Sequence, residues 1–147
     1  MDKQLMEASA EDSIHTTMAA SGYSEKAIGY YLEHPFMGEL PGADQVSEMT
    51  GSCGDTMRVS LKIERDVISD IRYQVLGCPG AVAAAMAAAD LVKGKPLAAA
   101  TRLNDGDIFN ALEDIPVQKH HCIQLAVKTL HKSIAEYGAN HPCPVRT

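Results

Sequence analysis

Two neighbouring segments in which apolar and polar residues alternate constrain the fold most strongly. Residues 57–63 carry an apolar side chain at every second position, and residues 68–76 repeat that pattern. Only a short stretch around Arg65-Asp66 separates the two segments. A period of two is typical of a strand with one buried face, and a short connection favours an antiparallel pair. The sequence therefore predicts a β-hairpin here.

The pattern changes from strand to helix directly after this hairpin. Residues 79–93 are rich in alanine, which has the highest helix propensity, and Pro79 suits a first helical turn. A second helical pattern runs from Val117 to a predicted stop at Gly138. Because strands precede most of the helices, the predicted class is α+β, with a small antiparallel sheet of about three strands packed by helices.

Shorter elements complete this prediction. Ser24 is a typical N-cap residue in front of a helical pattern that Pro35 ends. A glycine- and proline-rich stretch follows, with a short strand predicted at residues 45–49. Asn104 is predicted to cap a further short helix.

The length of the chain, 147 residues, fits one domain with two flanking segments. Residues 1–21 are small and polar, and we expect them to be disordered or loosely helical. Residues 22–138 form the predicted domain. Residues 139–147 contain two prolines and are expected to be a flexible tail.

Charge and hydropathy argue against several functional classes. The formal net charge is −6 and no segment is rich in Lys and Arg, which argues against a nucleic-acid partner. The longest apolar run, Ala81–Ala89, has nine residues, whereas a membrane-spanning helix needs roughly 20. The first 15 residues lack the apolar core of a signal peptide. We therefore expect a soluble, cytoplasmic protein.

The four cysteines are the main candidates for chemistry: Cys53, Cys78, Cys122 and Cys143. In a reducing compartment they are not expected to form structural disulfides, so metal binding or thiol chemistry is the better hypothesis. Cys78 and Cys122 lie at predicted helix starts, where the positive end of the helix dipole stabilises a thiolate.

The spacing of the cysteines excludes the common local motifs. The first three are separated by 25 and 44 positions, whereas zinc ribbons and ferredoxins place ligands a few residues apart. A thiol oxidoreductase normally needs a Cys-x-x-Cys pair, which this chain does not have. A shared site must therefore be assembled by the fold.

Five short motifs, taken in order, carry a resemblance to a known family: Tyr23-Ser24-Glu25-Lys26, Cys53-Gly54-Asp55, Val75-Leu76-Gly77-Cys78, Val92-Lys93-Gly94-Lys95 and His121-Cys122. In this order and at these intervals they resemble the IscU family of iron–sulfur scaffolds and the N-terminal domain of NifU. The resemblance runs from Tyr23 to about Tyr137 and implies an IscU/SufE-like fold.

The resemblance implies a metal site and a role for each of its residues. Cys122 would be the first acceptor of persulfide sulfur, Asp55 would keep the cluster labile, and Lys119 would lie next to the site. The cargo would be a transient [2Fe–2S] cluster and its iron, with Zn²⁺ as a possible occupant of the same site. The implied ligands are Cys53, Asp55, Cys78, His121 and Cys122.

Simpler interpretations of several residues stay open. Asp55 is also an ordinary turn residue after Gly54, and Lys119 is also consistent with a solvated lysine. His120 is expected to face solvent or to lie behind the ligands. Cys143 is expected to be an exposed bystander.

The resemblance implies a carrier without turnover chemistry of its own. Such a scaffold accepts sulfur from a cysteine desulfurase, assembles a cluster and transfers it to apoproteins, as a monomer or a weak homo-oligomer. The alternative is a zinc-bound sulfur acceptor of the SufU type, although this chain lacks the SufU insertion and has His121. Residues 115–119 read Ile-Pro-Val-Gln-Lys where the family has Leu-Pro-Pro-Val-Lys, which argues against recognition by the dedicated heat-shock chaperone.

Overall fold

Helices and strands follow the predicted order along the part of the chain that the computed structural model describes, residues 3–52 and 54–140. The helices are α1 (Lys3–Ala20), α2 (Glu25–Glu33), α3 (Pro79–Val92), α4 (Leu97–Ala100), α5 (Asp105–Leu112) and α6 (His120–Asn140). The strands are β1 (Gln45–Thr50), β2 (Thr56–Glu64) and β3 (Val67–Leu76). A short 3₁₀ turn (Val117–Lys119) leads directly into α6.

The three strands form one antiparallel sheet in the order β1-β2-β3. The hairpin between β2 and β3 turns at Arg65 and Asp66, whose φ angles are 53° and 63°. Two consecutive residues with positive φ are typical of a tight hairpin turn whose twist matches the strands. The α+β class, the hairpin and the short third strand are therefore confirmed.

The core lies between the sheet and the helices α3 and α6. Met57, Val59 and Leu61 are the buried, alternating residues of β2, and each is 0% exposed. Helix α6 packs on β1 and β2, whereas α3 packs on β3. The Tyr73 hydroxyl of β3 donates a 3.0 Å hydrogen bond to the Ala126 carbonyl of α6. Helix α3 is buried on nearly all sides, as its uniformly apolar composition requires.

The predicted helix caps are observed, with one error at the last helix. The Ser24 hydroxyl accepts the Ala27 N–H at the start of α2, and Asn104 with Asp107 forms a capping box at α5. The predicted stop at Gly138 is wrong, because α6 continues to Asn140. A terminating glycine adopts positive φ, whereas Gly138 is not among the glycines that do.

The segment before the predicted domain is a helix. The sequence predicts that residues 1–21 are either disordered or loosely helical. The structure shows a helix, α1, over Lys3–Ala20. Met18 anchors α1 in the core, and His15 Nε2 lies 2.8 Å from Glu25 Oε1 of α2. Most of the expected flexible tail, residues 141–147, lies outside the described residues. No helix within the described ranges has the length and apolarity needed to cross a membrane.

Candidate functional site

Three segments that are far apart in sequence bring two thiols and one carboxylate together. The Cys78 and Cys122 sulfurs are 3.7 Å apart. Asp55 Oδ2 lies 3.8 Å from the Cys78 sulfur and 3.7 Å from the Cys122 sulfur. These distances are close enough for all three groups to contact one small ion or cluster.

The position of Asp55 follows from the register of the sheet. Thr56 of β2 pairs with Leu76 of β3, so Asp55 lies beside the residues that follow β3. The loop before Asp55 is closed by a 2.8 Å hydrogen bond from the Gly51 N–H to the Asp55 carbonyl. Gly54 turns this loop with a φ of 92°, a backbone conformation that glycine adopts without strain.

Cys78 is the N-cap residue of α3. Its carbonyl accepts the Ala81 N–H at 3.0 Å, and its sulfur lies 3.7 Å from the Cys122 sulfur. Pro79 occupies the first helical position, where its missing N–H costs nothing. Strand β3 therefore delivers the thiol to the positive end of a buried helix.

His121 and Cys122 occupy the first turn of α6. Cys122 is 0% exposed, whereas Cys78 is only half-buried. One ligand atom from each of Asp55, His121 and Cys122 lies within 4.8 Å of the others. Asp55 and Cys122 therefore belong to two groups: this one, with His121, and the group of three mutual contacts with Cys78.

The neighbours of Cys78 favour its thiolate. A hydrogen bond from Cys122 is the largest influence that lowers the pKa of Cys78, to about 5, and the Ala81 amide and the Lys119 charge lower it further. Burial and the Asp55 charge oppose this shift. Cys78 is therefore a thiolate at neutral pH, stabilised mainly by its hydrogen bond with Cys122.

Tyr23 and Lys119 approach the start of α3 at Gly80. A Cβ placed on Gly80 would lie 3.1 Å from the Tyr23 hydroxyl and 3.2 Å from the Lys119 Cβ. Burial, followed by the charges of Cys78 and Cys122, raises the pKa of Tyr23 to about 12, against the effect of the Gly80 amide. Tyr23 is therefore a neutral hydroxyl next to the thiols.

The structure brings together four of the five ligands that the resemblance implies. Cys53 lies outside the described residues, as does Cys143. His120 packs edge-to-face on Phe109, with ring centroids 5.2 Å apart, and is not part of the donor group. Lys119 lies next to Gly80, two residues after Cys78, and its charge acts on the Cys78 thiol.

Sequence reasoning misses two residues of the site. It identifies Tyr23 only as part of one motif, and the glycine before Cys78 only as part of another. A polar aromatic residue just before a capped helix and a glycine just before a candidate ligand are the available signals. Neither signal is specific, because the role of each residue depends on which side chains the tertiary structure brings into contact with it.

The donor set is suited to a borderline or soft metal. Thiolates favour iron, zinc and iron–sulfur clusters, imidazole suits the same metals, and a carboxylate is a harder donor. A site that combines all three kinds of donor could hold such a metal without being optimal for any one ion.

Comparison with known sequences gives one consistent result. The family model described as NifU-like N terminal domain matches residues 22–144. The chain is 38% identical over 118 residues to the iron-sulfur cluster assembly scaffold protein IscU of Aquifex aeolicus, covering 78% of this chain and 75% of that protein. It is 35% identical over 120 residues to the scaffold protein of the same name from Escherichia coli K12, covering 78% and 93% respectively.

Solved structures share the fold. The N-terminal part of a nitrogen-fixing NifU-like protein from Brucella abortus superposes with a TM-score of 0.64 at 20% identity, covering 79% of this chain and 94% of that one. A putative iron-sulfur cluster assembly scaffold protein for the SUF system from Fervidobacterium islandicum gives a TM-score of 0.61 at 22% identity, covering 76% and 96%.

Proposed function

The chain belongs to the family of NifU-like N-terminal domains, and we propose that it is a scaffold on which iron–sulfur clusters are assembled and from which they are released. The observation that supports this most directly is the contact of Asp55, Cys78 and Cys122, with sulfur and oxygen atoms 3.7–3.8 Å apart. In this proposal the cargo is a transient [2Fe–2S] cluster. The site would act in the cytoplasm, where thiols remain reduced.

The proposed ligands divide into strong and weak donors. Cys78 and Cys122 would bind iron through thiolates, with Cys53 as a third cysteine ligand. Asp55 and His121 would share the remaining position, because both reach Cys122 within 4.8 Å. A carboxylate binds a cluster more weakly than a thiolate does, so Asp55 would favour release.

Sulfur would arrive as a persulfide on a cysteine desulfurase. The Cys122 thiolate would attack the outer sulfur of that persulfide, forming a new S–S bond on Cys122 while the desulfurase cysteine leaves as a thiolate. Cys122 is 0% exposed, so this step requires the site to open. The neighbouring Lys119 would hold the negative charge of the remaining thiolate.

The rim of the site supports contact with protein partners. Leu76 and Val117 are 77% and 79% exposed. Leu76 is separated from Cys78 by one residue, and Val117 is two residues before Lys119. Exposed aliphatic side chains beside a reactive site are typical of an interaction surface, here for the desulfurase and for recipient apoproteins.

Anaerobic reconstitution tests this function. The protein is incubated with iron, cysteine and a cysteine desulfurase, and the product is followed by absorption and Mössbauer spectroscopy. A cluster that forms and then transfers to an apo-ferredoxin is the expected result. Absence of any cluster, in a protein whose thiols are shown to be reduced, would reject the proposal.

A zinc-bound sulfur acceptor is the second candidate. Two thiolates with a carboxylate and an imidazole suit tetrahedral Zn²⁺, and the group of Asp55, His121 and Cys122 fits that ion as well as iron. Tightly retained zinc, stimulation of desulfurase turnover and no cluster in the same experiment would favour this candidate. Both functions use the same residues and neither gives the chain turnover chemistry of its own.

A further inference from the structure

The space next to Gly77 is filled by the side chain of Asp55. A Cβ placed on Gly77 would lie 2.8 Å from the Asp55 Cγ, 3.0 Å from its Oδ1 and 3.1 Å from its Cβ. Real Cβ atoms essentially never approach other heavy atoms to 2.8 Å. A side chain at residue 77 and the Asp55 carboxylate in its present position therefore exclude each other.

The backbone itself does not require glycine at this position. The φ angle of Gly77 is not in the positive range, so an L-amino acid could adopt it. Gly54, the residue before Asp55, shows the opposite situation: its φ is 92°, and in the described part of the chain no atom outside its two chain neighbours lies within 4 Å of the place that a Cβ would take. Gly54 is needed for the turn, whereas Gly77 is needed only for the space that Asp55 occupies.

Displacement of the carboxylate would change its distances to both sulfurs. Asp55 has a short side chain, so its Cγ can leave Gly77 only by rotation about the Cα–Cβ bond or by movement of the loop. Either movement takes Oδ2 away from its present positions 3.8 Å from Cys78 and 3.7 Å from Cys122. The absence of a side chain at Gly77 therefore determines whether Asp55 Oδ2 lies close to the two sulfurs.

We infer that Gly77 is a positioning residue for the metal site, which holds the Asp55 carboxylate against Cys78 and Cys122 by leaving it room. This inference rests on the proposed function only in giving Asp55 a role in the release of a cluster. The geometry that it describes also determines how the site binds a single ion, and it can be tested without any cluster.

Zinc binding provides the first test. Zn²⁺ affinity is measured by competition with a chromophoric chelator for the parent, Gly77→Ala, Asp55→Ala and the double variant. We expect Gly77→Ala and Asp55→Ala to lower the affinity to a similar degree, about 10- to 100-fold, and the double variant to equal the single ones. Parent-like affinity in Gly77→Ala, or additive losses in the double variant, would overturn the inference.

Unfolding in urea separates the role of the carboxylate from that of the backbone. Gly77→Ala is made in the parent and in an Asp55→Gly background, and the unfolding midpoints are compared. With Asp55 absent, alanine should raise the midpoint, because it restricts the unfolded chain at a permitted φ. With Asp55 present, the midpoint should fall. Equal changes in the two backgrounds would mean that Asp55 is not what excludes a side chain.

Gly138→Ala is the matched control. Gly138 lies in α6 and does not have positive φ, and among the residues that the structure describes no atom lies within 4 Å of its Cβ position. Its replacement should leave zinc affinity unchanged. If zinc affinity and unfolding follow the expected pattern while no variant assembles a cluster, the role of Gly77 stands and the scaffold function fails. If the parent assembles a cluster and Gly77→Ala binds zinc like the parent, the scaffold function stands and the role of Gly77 fails.

Discussion

The starts of α3 and α6 each supply one thiol to the site, but they do so in different surroundings. Cys78 precedes α3 and is half-buried, with the Asp55 carboxylate 3.8 Å from its sulfur and with the charge of Lys119 acting on it. Cys122 lies inside the first turn of α6 and is 0% exposed. Two residues of the same type, 3.7 Å apart, therefore differ in access and in the groups that surround them. Comparing Cys78 with Cys122 therefore separates the contribution of a thiol to metal binding from its contribution to core packing.

The largest expected effect is the loss of cluster assembly when either thiol is replaced. Cys78→Ser and Cys122→Ser should both abolish assembly, because each removes a thiolate that the other cannot replace. The variants should differ in stability. A serine hydroxyl at the buried position 122 should cost about 1–3 kcal/mol, whereas Cys78→Ser at its half-buried position should cost less when both variants are unfolded near pH 5, where the Cys78 thiolate contributes little stability.

Reconstitution and urea unfolding of the same preparations check both statements. Cluster assembly by either variant would remove that cysteine from the ligand set. Equal stability losses in the two variants would show that burial does not distinguish the two thiols.

The next effect concerns the release of the cluster. Asp55→Ala should make an assembled cluster longer-lived, because the weak oxygen donor is gone and His121 remains within reach of the same position. The rate of transfer to an apo-ferredoxin measures this effect, with Asp44→Ala as a control at a carboxylate that binds the Ile63 N–H instead. Release at the parent rate would contradict the role of Asp55 as a labile ligand.

The pH dependence of alkylation tests whether Cys78 is a thiolate at neutral pH. Since the pKa of Cys78 is lowered to about 5, its thiolate persists as the pH falls, and its reaction with iodoacetamide should decline only near pH 5. An ordinary cysteine loses reactivity below about pH 8.5. The same depressed pKa contributes stability above the unfolded value that is lost as the pH falls through the folded one.

Mass-spectrometric quantification of alkylated Cys78 between about pH 4 and about pH 9, a range that spans the lowered and the ordinary cysteine pKa, gives this profile. Lys119→Gln should move the midpoint to higher pH, because the lysine charge lowers the pKa of Cys78. A Cys78 profile centred near the ordinary value of about 8.5 in the parent would be incompatible with a stabilised thiolate.

The smallest expected effect lies at the start of α3. Tyr23→Phe keeps the buried ring and removes the hydroxyl that accepts the Gly80 amide, which should cost about 1 kcal/mol of unfolding free energy. Tyr31→Phe, on the partly exposed side of α2, is the matched control and should cost less. Urea unfolding of both variants decides this, and an unchanged stability of Tyr23→Phe would mean that the hydroxyl does not support the helix start.

Much of the fold could be predicted because its signals are local. The alternation in β2 and β3, the turn at Arg65-Asp66 and the cap at Ser24 each depend on a few neighbouring residues. The end of α6 could not be predicted from Gly138, because a glycine stops a helix only where the chain takes a positive φ. The sequence also could not choose between the two states expected for α1, since its anchoring through Met18 is a tertiary contact.

The sequence by itself determined which residues could bind a metal, because the chemical nature of thiol, carboxylate and imidazole is carried by each residue alone. It also placed Cys78 and Cys122 at helix starts, through local helix signals. Only the tertiary structure decided that donors 23 and 67 positions from Asp55 lie 3.7–3.8 Å from its carboxylate. The register of β2 with β3 sets that contact, and the space at Gly77 permits it. Such distances depend on the packing of whole elements, which no local pattern encodes.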